Sequence, residues 1–479
     1  MSVMKNKIAI FFVFFSSIFV LASCLKNDSD EVVYYDDTAI TSFSVGTLNR
    51  YIHTTSSTGE DSVYKTTLDC SKYKFYIDQY KKEIYNIDSL PLGIDVSKVL
   101  VSATSKNSGL IVVNLKTKDL TADSLVSVTS SDSLDFTNPL EFRVFNTMGT
   151  AYRSYTVHVN VHQEVADSFL WRKVVDNDAV VASLQGMKVL SANGKLWLMG
   201  NDGTGSKVYK GSVGNGITWT EVSTSPFAAD AYKNFTLLYG IPSFVSDGSL
   251  YQCFDDGRGC LPMAKVDLEC LLGAGKGSIY GLTGEGIMLE SPSVYNDWQL
   301  STLDTDAQLL PTRDVNFMVL SSNVNVNTYT LLLIGNRDAS YEADTTAVVW
   351  GKVEELDGKS QDQPWFYYTP SKENKSQLPR LNNLQVVGYD SGLIALGGES
   401  FDGKQSAFAH FYRSEDMGVT WSMNATYSFP AGFSSSDTSF AMTSDDDNYL
   451  WVFCGGTGQV WRGRTNRLGW NQEQVGYEQ

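Results

Sequence analysis

From residue 39 to residue 163 the chain is built of short runs in which every second side chain is apolar. LEFRVF at 140–145 sets Leu140, Phe142 and Val144 on one side, and YTVHVNV at 155–161 does the same with Tyr155, Val157, Val159 and Val161. A period of two puts one face of a strand into a core and the other into water. A turn at Met148 and Gly149 joins the two runs into a hairpin. Weaker runs fall at 40–45, 74–77, 99–103 and 109–113. About 125 residues with this rhythm predict an immunoglobulin-like β-sandwich over 39–165, without the Cys-Trp-Cys pin of antibody domains.

Beyond residue 167 the texture changes. Apolar runs end near glycine: KLWLMG at 195–200, SIYGLTG at 278–284, YTLLLIG at 329–335, GLIALGG at 392–398 and YLWVFCG at 449–455. After several of them a small residue stands seven positions before a tryptophan, at Ser212 and Trp219, Ser291 and Trp298, Ser414 and Trp421, and Gly463 and Trp470. A period of this kind marks stacked repeats. The clearest copy, SEDMGVTW at 414–421, resembles the Asp-box of sialidase-like propellers, with Ser414, Asp416, Gly418, Thr420 and Trp421 in its five positions. In such a turn the aspartate accepts backbone N–H bonds, glycine takes a conformation other residues resist, and tryptophan packs beneath. The two Gly-Gly endings are similar to kelch repeats. We therefore expect an all-β chain whose segment 167–475 is a β-propeller of about six blades, or seven, at roughly 40–50 residues each. The blades are expected to end near Trp219, Lys265, Trp298, Thr369, Thr426 and Trp470, with loop insertions at 357–364 and 371–377.

The first residues add a location. Lys5 and Lys7 precede an uncharged run over 8–21, too short for a comfortable membrane span, and Leu21-Ala22-Ser23-Cys24 follows. This resembles a lipobox, which implies a signal peptide over 1–23, cleavage before Cys24 and lipidation of its thiol. Two or more acyl chains give durable membrane anchoring. Residues 24–38 are polar and acidic, read as a flexible tether. That tract is also similar to the signal that sends Bacteroidota lipoproteins to the outer cell surface. An outer-membrane, lipid-anchored protein facing the exterior is expected. Of the other five cysteines, Cys253 and Cys260 stand close enough to bridge a turn, with buried free thiols as the alternative.

Charge narrows the chemistry. The 479 residues carry a net charge of −17 with no basic cluster past the leader, which excludes nucleic acid as a partner. No nucleophile elbow, phosphate loop or dinucleotide fingerprint occurs. The glycine-rich stretch 273–277 is not followed by a helical pattern. A sialidase needs three converging arginines, and no Arg-Ile-Pro element is present, so the reading leans away from an enzyme. A single histidine in the propeller, His410, argues against a copper oxidase and reads as a core residue of an aromatic strand. No cofactor is expected except calcium, for which Asp255 and Asp256, and Asp445 and Asp447, offer oxygen ligands; the competing reading is two plain turns. Aromatic faces stack on sugar rings. Trp365 and Tyr367 in the run WFYY, with Arg258 and Arg380, are therefore the candidate ligand-binding residues.

The whole arrangement resembles a family of Bacteroidota surface lipoproteins with an immunoglobulin-like N-terminal domain and a sialidase/kelch-like propeller. The residues carrying it are 21–24, the stretch IYNIDSLP at 84–91, the hairpin over 139–161 and the Asp-box at 414–421. The resemblance implies fold and location and supplies no catalytic residue. The expected function is a surface binding module for glycans, with a protein-interaction part in an outer-membrane complex, or a glycan-active hydrolase or lyase, as alternatives.

Overall fold

The computed structural model describes residues 37–470, except 56–60, 116–123, 130, 214–215, 224, 293–294, 296, 323, 357–362 and 371–372. Cys24 and the leader lie outside the described residues. The chain divides into two units, one ending at Gln163 and the other spanning Glu164–Trp470.

The N-terminal unit is all β. A six-stranded sheet holds the expected hairpin, Leu140–Phe145 paired antiparallel with Tyr152–His158, and Glu83–Asn86 joins the latter in parallel. A three-stranded sheet led by Ile40–Val45 supplies the opposing face. Phe43 of that strand meets Phe142 edge-on with ring centroids 5.7 Å apart, an arrangement that suits the ring quadrupoles. Tyr155 is fully buried; its hydroxyl donates to Gln79 Oε1 (2.6 Å) and accepts from the Ile40 amide (3.2 Å), so burial leaves no polar atom stranded there. A long two-stranded ribbon, Thr47–Thr55 with Asp61–Asp69, forms a sheet of its own and adds Leu48 to the same core.

The second unit is a propeller. Among the described residues it has six four-stranded sheets, and their innermost strands touch one another in a closed ring. Blade 1 runs from Gly186–Ala192 to Ile217–Glu221, blade 2 from Thr236–Leu238 to Gly259–Lys265, and blade 3 from Cys270–Ala274 to Gln299–Leu300. Blade 4 runs from Arg313–Ser321 to Phe366–Tyr367 and blade 5 from Gln385–Tyr389 to Ser422–Met423. Blade 6 takes three strands from the chain's end, Phe440–Ser444, Leu450–Cys454 and Gln459–Thr465. Its outermost strand is Phe169–Val175, from the domain's beginning. That pairing closes the ring.

Apolar patterning explains the stacking. Each of six buried clusters lies between two neighbouring blades. The second strand of blade 4, Thr328–Asn336, shows why the glycine-ended runs do not alternate. Leu331 and Leu333 pack toward blade 3, while Leu332 and Ile334 pack toward blade 5. A strand covered on both faces has no polar side to show. Six tryptophans, among them Trp350, Trp365 and Trp421, are buried in these inter-blade cores or beside them.

Candidate functional site

The Asp-box sits where the sequence places it, between the third and fourth strands of blade 5. Asp416 Oδ1 accepts from the Thr420 amide (2.8 Å) and the Ser414 hydroxyl (2.9 Å), and Oδ2 accepts from the Thr420 hydroxyl (2.6 Å). The Gly418 amide donates to Ser414 Oγ (2.8 Å), and Trp421 Nε1 donates to the Gly418 carbonyl (3.0 Å). Gly418 has φ +89°, and a Cβ there would press at 3.3 Å on Ile334 and Val349 of blade 4. Partial burial opposes ionisation of Asp416, but the Thr420 and Ser414 donors outweigh it and hold the carboxyl below its usual range. All five residues act within the turn.

The corresponding turn of blade 2 is built differently. Phe254–Gly259 is spanned by a Cys253–Cys260 disulfide between directly opposed residues. Asp255 within it pairs with Lys195 and Lys210 of blade 1, and Asp256 pairs with Arg258, whose guanidinium covers the Phe254 ring at 3.9 Å. These carboxylates are thus paired with side-chain cations of the same turn and of blade 1. Asp445 accepts from the amides of Asp447 (3.0 Å) and Tyr449 (2.8 Å) and from Trp451 Nε1 (2.6 Å), as a turn does. Among the described residues no group of three acidic, histidine or cysteine side chains is placed to hold a metal.

Other sequence candidates also take structural posts. Trp365 is fully buried, edge-on to Tyr280 at 5.3 Å, so its face is closed to a ligand. Tyr367 is half-buried against Trp350. Arg380 is 2% exposed: its guanidinium donates to the carbonyls of Tyr341 (2.7 Å), Arg337 (2.9 Å) and Asp338 (2.7 Å), clamping a loop of blade 4. Arg258 is exposed on its turn and belongs to neither group. The structure therefore does not bring these four together. His410 is exposed in a loop rather than buried in a strand, because the chain at 408–411 leaves the sheet before Tyr412–Ser414. The glycine-rich stretch does hold an anion, but an internal one. Glu354 accepts from the amides of Lys276 (2.7 Å) and Gly277 (3.4 Å), and a Cβ on Gly275 would collide with it at 2.3 Å.

One opening is the mouth of the central channel, where the first strands of the blades begin. A cavity of about 370 Å³ lies there, lined from five blades or the loops leading into them. Blade 1 contributes Lys188, the loop into blade 2 Tyr232 and Lys233, and blade 4 Arg313 to Asn316. Asn383 and Gln385 come from blade 5 and its entry loop, Glu399 from a later loop of that blade, and Asp437 and Thr438 from the loop into blade 6. Cavities of about 390 and 440 Å³ lie elsewhere. The first is walled on one side by Gly418, Thr420 and Trp421 of the Asp-box, already engaged in the turn, and on the other by residues such as Val349, Tyr368 and Leu378. In the second, Asp390 is taken up by Arg413 and Arg467, and Asp445 by its turn.

At the mouth side chains tie blade to blade. Asn316 donates to the Leu384 carbonyl (3.0 Å) and accepts from the Val386 amide (3.0 Å), tying blade 4 to blade 5; Asn383 donates to the Phe440 carbonyl (3.0 Å), tying blade 5 to blade 6. Lys188 reaches into the channel and donates to the Val315 carbonyl (3.0 Å). Its surroundings strip water from the ammonium and push its pKa down, with Cys270 and Asp314 nearby acting the other way. Burial likewise pushes the Asp314 carboxyl up, despite a hydrogen bond from Asn336 (3.0 Å). Lys233, Arg313, Glu399 and Asp437 are exposed on the rim. None of these residues belonged to a motif. All but Glu399 share a position, at or just before the first strand of a blade.

Comparison with known proteins agrees with this architecture. The model described as the DUF6242 beta propeller domain matches residues 165–473, and that of the DUF6242 N-terminal domain, a domain of unknown function, matches 43–159. No curated protein matches the chain. Among solved structures, a Bacteroides thetaiotaomicron VPI-5482 protein of unknown function is similar at 10% identity and TM-score 0.40, over 81% of this chain and 98% of its own. A Hadza microbial sialidase, Hz136, is similar at 11% identity and TM-score 0.38, over 91% and 92%. The Trichoderma reesei carbohydrate-active enzyme of family AA12 is similar at 9% and TM-score 0.38, over 63% and 97%. At such identities and scores no functional argument follows from them.

Proposed function

Since the chain belongs to the DUF6242 family through both of its domains, we propose a function for the whole: a cell-surface lipoprotein that binds a glycan at the mouth of its propeller channel. The observation that carries this reading is the cavity of about 370 Å³ in which amides, ammonium groups, carboxylates and one tyrosine converge from five blades. A concave site with a few fixed polar groups is the usual form of a small-ligand pocket. Sugars present many hydroxyls that both donate and accept, and this lining supplies both functions. The side chains binding blade to blade keep those groups in place, so little ordering entropy is lost on binding.

Anchoring through Cys24 and exposure on the outer membrane belong to the same proposal. A disulfide between Cys253 and Cys260 suits an oxidising compartment. The test is a glycan-array screen of the detergent-solubilised full chain beside a Thr438→Trp variant, which fills the mouth. Saturable binding to one sugar class that the variant loses is expected. Silence across a broad array, or binding indifferent to the variant, would refute the proposal.

A further inference from the structure

The rim of the channel mouth is electrically divided. Going round the ring, Lys188, Lys233 and Arg313 come from blade 1, the loop into blade 2, and blade 4; Glu399 and Asp437 come from blade 5 and the loop into blade 6, while Asp314 beside Arg313 is half-buried and accepts from Asn336 (3.0 Å). Among the exposed charges the cationic arc is thus Lys233 and Arg313, from the loop into blade 2 and from blade 4, and the anionic arc Glu399 and Asp437, from blade 5 and the loop into blade 6. Lys188 is fixed at depth by its bond to the Val315 carbonyl, whereas Lys233 and Arg313 stand at the exposed edge. The Arg313 guanidinium lies 5.5 Å from the Phe401 ring, which limits where its fork can point.

We infer that the glycan bound at the mouth carries a carboxylate, of the uronic acid kind, seated on the cationic arc with its hydroxyls on the anionic arc. This rests on the mouth being the glycan site. Guanidinium and ammonium groups recognise a carboxylate through short charge-assisted bonds. Carboxylates are acceptors only, so Glu399 and Asp437 suit the hydroxyl donors of a sugar ring and repel a second anionic group. One carboxylate on a ring otherwise rich in hydroxyls therefore has a single favoured orientation. A neutral sugar would offer no anion to Lys233 and Arg313, and a polyanion such as a multiply sulfated chain would face repulsion from Glu399 and Asp437. The chain's net charge of −17 disfavours approach of any anion from afar, so recognition lies in these close contacts rather than in long-range steering.

The experiment is calorimetric titration of the detergent-solubilised full chain with a uronic acid trisaccharide and with the neutral hexose trisaccharide of the same linkage. The acidic sugar is expected to bind at least tenfold more tightly. Arg313→Ala and Lys233→Ala should each weaken it by about tenfold, as one charge-assisted bond lost, and bring it toward the neutral sugar. Arg258→Ala, on a turn away from the mouth, should change neither affinity. Equal binding of the two sugars, or acidic binding untouched by both rim variants, overturns the inference while leaving a glycan site at the mouth. Binding of neither trisaccharide, with array hits of other classes that the Thr438→Trp variant does not abolish, overturns the site itself.

Discussion

Replacing Asp416 by alanine tests how the Asp-box holds a blade. The carboxylate accepts three bonds, two of them from Thr420, and no other group in the turn takes over that role. A hydrogen bond to a charged acceptor contributes about 1.5–3 kcal/mol, and a neutral one about 1 kcal/mol. The turn is exposed, so water replaces much of what is lost, and a net destabilisation of about 2–3 kcal/mol is expected. For a domain of this size that lowers the melting midpoint by roughly 3–5 °C. The assay is thermal unfolding followed by tryptophan fluorescence, since Trp421 lies beneath the turn. Asp416→Asn should lose less, because its carbonyl still accepts from the Thr420 amide. Because folding lowers the Asp416 pKa, its contribution is present above the unfolded value of 3.8 and is lost as pH falls through the folded one. The alanine variant should therefore melt with the parent at sufficiently acid pH. An unchanged midpoint at pH 7 would refute the claim that the carboxylate organises the turn.

Reduction of Cys253–Cys260, or Cys253→Ser with Cys260→Ser, should destabilise the propeller by up to about 2.5 kcal/mol, the chain-entropy value for so short a loop, read as a lower urea midpoint. Native Cys70 and Cys454 are buried with thiol pKa values pushed up to about 11 and about 12, chiefly by burial, and should resist iodoacetamide at pH 8 until the chain unfolds, as mass spectrometry would show. Arg380→Ala strands carbonyls that its guanidinium now satisfies and should make the loop at 337–346 a site of limited proteolysis. Asp314 has its pKa raised on folding, so its charge opposes folding at neutral pH. Asp314→Asn should raise the melting midpoint at pH 7, with the gain shrinking as pH falls toward 3.8 and both states take up the proton.

Much of the fold was legible because strands covered on both faces and strands half in water leave different patterns. The glycine-ended runs mark the second strands of blades 1, 3, 4, 5 and 6. Blade 2 escaped that repeat because its second strand, Ile241–Ser246, is broken by Pro242 and Ser243. Its outermost strand carries Pro262, which only a sheet edge tolerates. The ribbon over 47–69 was missed because Asp61–Asp69 has no buried residue and so no apolar rhythm. Closure was also invisible, since Phe169 pairs with Thr465 across nearly the whole domain. The site was harder still. Tryptophan and arginine type could not distinguish a buried Trp365 or a loop clamp such as Arg380 from a ligand contact. Lys188, Arg313 and Asp437 converge only once the ring is closed, and nothing local in the sequence marks them.

The central claim is that the channel mouth is where a ligand binds. Hydrogen–deuterium exchange of the full chain, with and without a saturating array-selected glycan, tests it most directly. Protection is expected in the segments at 231–235, 313–316, 382–385 and 437–440, whose backbones frame the cavity. Protection confined to the turns near Asp255 and Asp416, or to the N-terminal unit, with those segments unchanged, would contradict it.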